Sequence, residues 1–245
     1  MMSEHNIPWM EPVYWGNEEK YVVDALKSSW ISGGKYTDLF EGRFANYIGA
    51  KYALTTSNGT SALHLAYLGL GLVAGDEIIV PGYCFMAAAN VAINIGLKPV
   101  FVDVDRDTWC LSPADVERKI TSKTKAIIPV HTYGNVSDMT PIIELANRYG
   151  LFVIEDAAES LGSKYAGQQS GTIGDVGTFS FHATKTVTTG EGGMVVTDNE
   201  DVYKRMVLYR NHGMGVRRYW HEVPGYNFRL TNLQAALGLA QLEKI

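Results

Sequence analysis

The sequence has 245 residues, 46% of them hydrophobic, which is enough to bury a large core in one large or two small domains. A net charge of −5 without any block of like charges argues against nucleic acid or an anionic membrane as the main partner and favours small molecules. The only two cysteines, Cys84 and Cys110, form no Cys-x-x-Cys pair, so neither a disulfide framework nor a cysteine metal site is expected.

The first part of the chain is predicted to be helical. Apolar side chains recur at near-helical spacing over residues 18–30, and a pair of glycines then ends that helix. A polar turn leads to a helical stretch over Thr37–Tyr47. The next helix is predicted to start near Gly59, with Ser57 or Asn58 as its N-cap, and its N-terminus is a candidate anion site.

Short apolar runs then alternate with helix-like stretches, a pattern that indicates a buried, mostly parallel sheet in an α/β fold. The predicted strands are Glu77–Val80, Pro99–Asp103, Ala126–Val130, Leu151–Ile154, Val176–Phe181 and Gly193–Thr197. The predicted helices among them lie near residues 85–95, 112–120 and 139–149. A final amphipathic helix over Asn232–Ile245 has no C-capping signal, so the chain is expected to be truncated.

The segments that flank one lysine, Lys185, indicate its possible role. It lies between an aromatic β-like run, Phe179–Phe181, and a glycine-rich turn, Thr188–Gly193. A lysine amine can form an imine with a carbonyl cofactor and can then move a proton. Residue type alone favours a solvated surface charge. The glycines favour a nucleophile instead, because they let the backbone pack tightly around a ligand.

Asp156 follows the apolar run Leu151–Ile154, at the carboxyl end of a predicted parallel strand, where open α/β sheets bind ligands. Pyridoxal phosphate enzymes pair a Schiff-base lysine with a carboxylate at the pyridinium nitrogen, so Asp156 and Lys185 together predict that chemistry. The alternative is an N-cap aspartate for the residues that follow. Glu155, on the opposite face of the strand, is the weaker candidate.

Four further features could contact such a cofactor or its substrate. The segment Ser57–Ser61 offers backbone N–H groups and hydroxyls to a phosphate, although an ordinary helix cap is the commoner reading. Ser180 could add a hydroxyl there, or be a half-buried strand serine. Phe85 could stack on a planar ring or pack in the core. The stretch Arg210–Trp220 could hold a diphosphate and a base, although charge alone favours a solvated loop.

Other chemistries lack their motifs. The sequence has no P-loop, no Gly-x-Ser-x-Gly and no His-Glu-x-x-His, and its six histidines show no metal-ligand spacing, so no metal is expected. The N-terminus lacks the pattern of a secretory signal, and no apolar run approaches the roughly 18 residues of a membrane span. The expected location is therefore cytoplasmic.

A set of short motifs occurs in order along nearly the whole chain. They are Trp30–Gly34, Ser57–His64, Gly75–Pro81, Glu155–Glu159, Phe179–Phe181, Lys185 with Thr188–Gly193, and Gly225–Asn232. In this order they resemble the DegT/DnrJ/EryC1/StrS nucleotide-sugar aminotransferases. The resemblance implies a pyridoxal phosphate fold type I large domain over residues 1–245, a three-layer α/β/α structure. It also implies a smaller C-terminal domain, which this chain is expected to lack.

The resemblance assigns cofactor-binding roles to individual residues. Lys185 would form the Schiff base, and Asp156 would pair with the ring nitrogen. Phe85 would stack on the ring, and Glu159 would lie beside the 3-hydroxyl group, where many members of the family carry Gln or His. The phosphate would be held by Gly59, Thr60, Ser61 and Ser180.

The resemblance also implies the substrates. Glu159, together with Arg218–His221 and Gly225–Arg229, is most similar to the branch that makes GDP-perosamine. That branch moves an amino group from L-glutamate to C4 of GDP-4-keto-6-deoxy-D-mannose. Asn227 would reach the phosphate of the partner subunit's cofactor, so a homodimer would share its active sites. Arg229 is a candidate substrate contact.

Two alternatives stay open. The sugar 3-dehydratase branch of the family uses a histidine at the position of Lys185, so the lysine favours transamination. A catalytically silent protein that binds pyridoxal phosphate is the second alternative, because the chain is expected to lack the C-terminal part of the family.

Overall fold

A seven-stranded sheet forms the centre of the structure, a computed structural model that describes residues 10–217 and 219–245. The strands of these residues are β1 (Tyr52–Thr56), β2 (Glu77–Pro81), β3 (Lys98–Val102), β4 (Thr124–Ile127), β5 (Phe152–Asp156), β6 (Lys164–Tyr165), β7 (Gln168–Gln169), β8 (Val176–Ser180) and β9 (Gly193–Thr197). The central sheet has the order β1-β9-β8-β5-β4-β2-β3, and β6 pairs with β7 alone.

The helices pack on both faces of this sheet. Those of the described ranges are α1 (Glu18–Lys27), α2 (Lys35–Ile48), α3 (Gly59–Gly69), α4 (Ala87–Asn94), α5 (Pro113–Lys119), α6 (Met139–Tyr149), α7 (Glu200–Arg210) and α8 (Asn232–Leu242). A short 3-10 turn covers Thr132–Gly134. No helix within these ranges is both long and apolar enough to cross a membrane.

The sheet is mostly parallel because crossover helices connect its strands. From β8 through β5, β4 and β2 to β3 every neighbouring pair is parallel, and only β9 runs against its two neighbours. The central strands are apolar on both faces, as the buried run Ile78, Ile79 and Val80 in β2 illustrates. This architecture confirms the fold class predicted from the sequence.

Alternation along each strand divides the core into two layers. In β2, Ile78 and Val80 face the layer that holds α3, α4 and α7. Ile79 faces the opposite layer, where it packs with residues of α5 and α6. Next to that cluster, Phe40 and Phe44 of α2 pack with α8 against β8 and β9. Helices therefore cover both faces, which makes the structure three-layered.

Some boundaries differ from those predicted. The first helix ends at Lys27 instead of continuing to residue 30, because Ser29 has a left-handed backbone with φ of 60°. The strand predicted over Ala126–Val130 ends at Ile127, and Pro129, which lacks an N–H, interrupts the ladder there. The sequence reading also missed β1, β6, β7 and α7.

Glu155 and Asp156 point to opposite sides of β5, as predicted, and they have different roles. Glu155 is fully buried and contacts His131 Nε2 at 2.9 Å. Its carboxylate also accepts hydrogen bonds from the N–H groups of Gly171, Ile173 and Gly174 at 2.6 to 2.8 Å. Glu155 is thus engaged by His131 and by the loop that contains Gly171, Ile173 and Gly174, and it has a structural role.

Candidate active site

A cavity of about 770 Å³ opens at the carboxyl ends of β5 and β8, beside the N-terminus of α3. Ligands bind at this edge of open parallel sheets. Seven of the predicted site residues line it: Gly59, Thr60, Phe85, Asp156, Glu159, Ser180 and Lys185. The structure thus gathers residues from four separate parts of the chain. Ser61, Asn227 and Arg229 are not among the lining residues.

The amine of Lys185 is held inside the cavity by an acid. Its Nζ lies 3.3 Å from Glu159 Oε1, and its side chain is 22% exposed. The turn that presents it is closed by the Lys185 N–H, which donates to the His182 carbonyl oxygen at 2.9 Å. The Tyr133 N–H donates to Glu159 Oε2 at 2.7 Å and so fixes the carboxylate. Lys185 is therefore partly desolvated and has a defined position.

Asp156 is only 6% exposed, at the end of β5. Burial raises the pKa of Asp156 above its usual value, although the Ala158 N–H, which donates to Oδ1 at 3.1 Å, and the charges of His131 and Lys185 act in the opposite direction. None of the ion pairs among the described residues includes Asp156. A cationic group brought against this carboxylate would therefore favour its ionised form.

The N-terminus of α3 forms another wall of the cavity. Asn58 caps this helix, because its Oδ1 accepts from the Ser61 N–H at 2.8 Å and from the Ser61 hydroxyl at 3.0 Å. Ser61 is thus already bonded within the cap. The N–H groups of Gly59 and Thr60 belong to the first turn and have no acceptor inside the helix, so they can meet an anion.

Gly59 allows α3 to approach β8 closely. A Cβ added at Gly59 would lie 2.9 Å from the Cβ of Ser180 and 3.4 Å from its Oγ. The absence of a side chain at Gly59 thus brings free helical N–H groups next to the Ser180 hydroxyl. These groups could bind the same phosphate.

Replacing Gly59 by alanine is expected to weaken binding of a phosphate-bearing cofactor by roughly tenfold, because overpacking of this kind costs about 1–3 kcal/mol. The measurement is the Kd for pyridoxal phosphate from a spectroscopic titration. Gly42→Ala is the matched control, since a Cβ there meets nothing within 4 Å and lies on an exposed helix face. Equal affinities for both variants would show that the close approach is unimportant.

Exposed aromatic rings border the cavity. Phe85 is 79% exposed and Tyr133 is 73% exposed, unusual values for such apolar side chains. Tyr83 lies nearby, with its ring centroid 5.5 Å from that of Trp109 at an angle of 89°. Tyr133 and Trp109 both adopt left-handed backbones, with φ of 53° and 59°. The exposed ring of Phe85 is available to a planar ligand in the cavity.

Asn227 and Arg229 are exposed and do not line the cavity of their own chain. Arg229 Nε donates to Asn227 Oδ1 at 2.9 Å, so the two side chains form a pair. In the preceding basic stretch, the Arg217 guanidinium lies 5.6 Å from the ring centre of Trp220. Arg218, which was also part of the predicted substrate segment, lies outside the described residues. A role of Asn227 in a partner's site stays a prediction.

Several lining residues were not identified from the sequence. They include Thr132, Tyr133, His182, Thr184 and Glu191. Thr132 and Tyr133 follow the predicted strand Ala126–Val130, so the strand-end rule that identified Asp156 would have found them too. His182 and Thr184 belong to the turn before Lys185, where His182 Nδ1 lies 3.0 Å from Thr184 Oγ1.

The donor set suits one kind of ligand. It combines an amine, a buried carboxylate without a close cationic partner, an exposed aromatic ring and a helix N-terminus with free N–H groups. A planar aldehyde with a basic ring nitrogen and a phosphate would use all four. No cluster of three or more potential metal-ligating side chains occurs among the described residues. The residues present therefore fit pyridoxal phosphate.

Comparisons with known proteins agree with this geometry. Residues 15–245 match the model of the DegT/DnrJ/EryC1/StrS aminotransferase family. A GDP-perosamine synthase from Escherichia coli O157:H7 is 52% identical over 240 residues, which cover 97% of this chain and 66% of that protein. A GDP-perosamine synthase from Caulobacter vibrioides is 50% identical over 94% of this chain and 62% of that protein.

Solved structures show the same fold. The X-ray structure of an aminotransferase from Psychrobacter cryohalolentis superposes with a TM-score of 0.92 at 38% identity, covering 97% of this chain and 63% of that one. Measured against the two GDP-perosamine synthases, this chain spans about two thirds of the length of the curated relatives that it matches.

Proposed function

Because the chain belongs to the DegT/DnrJ/EryC1/StrS aminotransferase family, we propose that it binds pyridoxal 5'-phosphate and moves an amino group from L-glutamate to a nucleotide-linked keto-sugar. The sugar substrate in this proposal is GDP-4-keto-6-deoxy-D-mannose, and the product is GDP-perosamine. Support for that substrate comes from the two GDP-perosamine synthases at 52% and 50% identity. The proposal includes the cytoplasmic location expected from the sequence.

The observation that carries the proposal is the arrangement of Lys185 and Asp156 in one cavity. The cofactor supplies an electron sink that stabilises negative charge at the carbon bearing the amino group. The Asp156 carboxylate would bind the ring nitrogen and keep it protonated. Lys185 would hold the cofactor through its Nζ and, when that amine is free, could carry a proton at Nζ. Glu159, at 3.3 Å, receives the free ammonium.

The remaining cofactor contacts follow from the walls of the cavity. Phe85 stacks on one face of the ring, and the free N–H groups of Gly59 and Thr60 bind the phosphate. The hydroxyl of Ser180 donates to the same phosphate. Ser61 contributes indirectly, because its bonds to Asn58 hold the helix cap.

Two copies of the chain share their active sites in this proposal. Asn227 reaches the phosphate of the partner subunit's cofactor, and Arg229 contacts the substrate. The charge of the cavity supports a contribution from the partner subunit. Among the cavity-lining residues, Lys185 is the only lysine or arginine, whereas three are acidic. L-glutamate and a nucleotide diphosphate are anionic and require further cations. Exposed arginines such as Arg229 could supply them.

The direct test is a half-reaction. The purified chain is expected to develop a visible absorbance band with pyridoxal phosphate, and L-glutamate is expected to convert that band to the shorter-wavelength spectrum of pyridoxamine phosphate. GDP-4-keto-6-deoxy-D-mannose should then restore the band. The control amino donor is D-glutamate, which has the same charges in the opposite configuration.

Each alternative predicts a different result. A silent binding protein would form the band without responding to L-glutamate. A sugar 3-dehydratase would release water from the sugar instead of aminating it, and Lys185 speaks against that outcome because that branch uses a histidine there. Preferential amination of a dTDP- or UDP-linked sugar would refute the GDP-linked substrate.

A further inference from the structure

Three aromatic side chains pack together on one side of the segment that carries Asn227 and Arg229. The rings of Tyr226 and Phe228 are stacked, with their centroids 4.8 Å apart at an angle of 10°. The ring of His64, in α3, contacts both of them. Its centroid lies 4.7 Å from that of Tyr226 and 5.2 Å from that of Phe228. We call these three residues the aromatic cluster.

Side chains alternate along this segment, as they do in an extended chain. Tyr226 and Phe228 pack against His64. The residues between and after them, Asn227 and Arg229, are exposed, and Arg229 Nε donates to Asn227 Oδ1 at 2.9 Å. Contacts that fix the two aromatic rings therefore also fix the direction of the exposed pair.

The backbone of the segment is anchored on both sides. The Phe228 N–H donates to the carbonyl oxygen of Arg210, at the end of α7, at 3.1 Å. The Phe228 carbonyl oxygen accepts from the Ser57 N–H at 2.8 Å. Ser57 directly precedes Asn58, the N-cap of α3. The segment is thus joined to the start of the helix whose N–H groups meet the cavity.

The His64 ring acts as an apolar surface in this cluster. Its Nε2 is buried and has no hydrogen-bond partner among the described residues. Burial lowers the pKa of His64, so the ring is neutral at neutral pH. Packing against Tyr226 and Phe228, and not a hydrogen bond at Nε2, therefore holds the ring in place.

We propose that the aromatic cluster is a positioning element that directs Asn227 and Arg229 toward the partner subunit's active site. The inference rests on the shared active sites of the proposed function. It predicts an effect across the dimer. His64 belongs to the helix that binds the phosphate of its own chain, yet its loss weakens cofactor binding in the partner. General loosening of α3 would instead weaken binding in the same chain.

Mixed dimers separate these two effects. Two differently tagged chains are co-expressed, and the dimers that carry both tags are purified. Only a site with Lys185 gives the visible absorbance band, because covalent attachment requires that amine. A Lys185→Ala chain thus restricts a titration with pyridoxal phosphate to one site in each dimer. The reference Kd is that of the dimer of Lys185→Ala and wild-type chains.

The two changes are then combined in two arrangements. With Lys185→Ala and His64→Ala on different chains, the one Lys185 site receives Asn227 from a chain whose aromatic cluster is intact, and its Kd should equal the reference. With both changes on the same chain, the wild-type site receives Asn227 from the altered segment. Its Kd should rise roughly tenfold, the effect of one lost hydrogen bond to a charged group.

Tyr52→Ala is the matched control. Tyr52 is also a stacked ring, with its centroid 4.6 Å from that of Tyr203, but it does not line the cavity. Its Kd should equal the reference in both arrangements. Phe228→Leu is a second variant of the aromatic cluster that should reproduce His64→Ala, and it decides the question if the His64→Ala chain does not fold.

Asn227→Ala in the same two arrangements tests the shared site itself. If Asn227→Ala raises the Kd only on the Lys185→Ala chain while His64→Ala gives equal values in both arrangements, the site is shared and the inference is overturned. A higher Kd with His64→Ala on the chain that keeps Lys185 would overturn it as well. Failure of the reference dimer to form or to develop the band would instead reject the proposed function, and the inference with it.

Discussion

Lys185→Ala is expected to abolish the visible absorbance band and to lower transamination by about 10⁴-fold or more, the upper range for a positioned proton-transfer group. The variant loses both the covalent attachment of the cofactor and the amine that moves the proton. Non-covalent binding should persist, because Asp156, Phe85 and the N-terminus of α3 are unchanged.

The measurement combines spectroscopy with borohydride reduction and peptide mapping, which identify the attached lysine. Lys185→Arg is an informative companion, because it keeps a cation near Glu159 but cannot form the covalent bond. Lys98→Ala is the control, since Lys98 is exposed at the start of β3 and away from the cavity. If the reduced cofactor were found on another lysine, the assignment of the site would be wrong.

Asp156→Asn is expected to reduce transamination on the order of a hundredfold or more, because the ring nitrogen loses its ionised partner and the electron sink weakens. The same change is expected to raise the stability of the cofactor-free protein at neutral pH. A buried carboxylate with a raised pKa is unfavourable in its charged form, and asparagine carries no charge. The substitution is thus expected to lower the activity and to raise the stability of the cofactor-free protein.

The pH dependence of this gain in stability follows from the direction in which the pKa of Asp156 is shifted. Because the folded-state pKa of Asp156 is raised, folding favours the protonated acid, and the stability from this group is lost as the pH rises through the raised pKa. The gain from Asp156→Asn should therefore be largest at neutral pH and above. It should shrink toward zero as the pH falls to the usual carboxyl value of 3.8.

Asp115→Asn provides the matched control, because its pKa is shifted in the opposite direction. The Asp103 N–H, with Arg118 and Lys119, lowers the pKa of Asp115 to about 2. Its charged form stabilises the fold above the usual carboxyl pKa, and that stability is lost as the pH falls through about 2. Thermal unfolding without cofactor should thus show a lower Tm for Asp115→Asn and a higher one for Asp156→Asn. A lower Tm for both would contradict the account of Asp156.

The elements predicted correctly from the sequence are those whose pattern of apolar side chains lies within one short segment. The apolar runs at β2, β3, β5, β8 and β9 and the periodicity of α3 and α6 predicted the sheet and its flanking helices. The strand β1 was not predicted because Tyr52–Thr56 has only a three-residue apolar part, and α7 was not predicted because polar residues surround its apolar positions. Both are stabilised by tertiary packing, such as the stacking of Tyr52 on Tyr203 at 4.6 Å.

The sequence by itself determined the fold class, the family and the chemistry expected of Lys185 and Asp156, since these depend on residue type, short spacing and the order of motifs. Only the tertiary structure decided which side chains are partners. It placed Glu159 beside Lys185, used Ser61 in a helix cap and left the Thr132 hydroxyl unpartnered. The physical reason is that a parallel sheet brings distant strand ends to one edge, where burial and hydrogen bonding depend on neighbours remote in sequence.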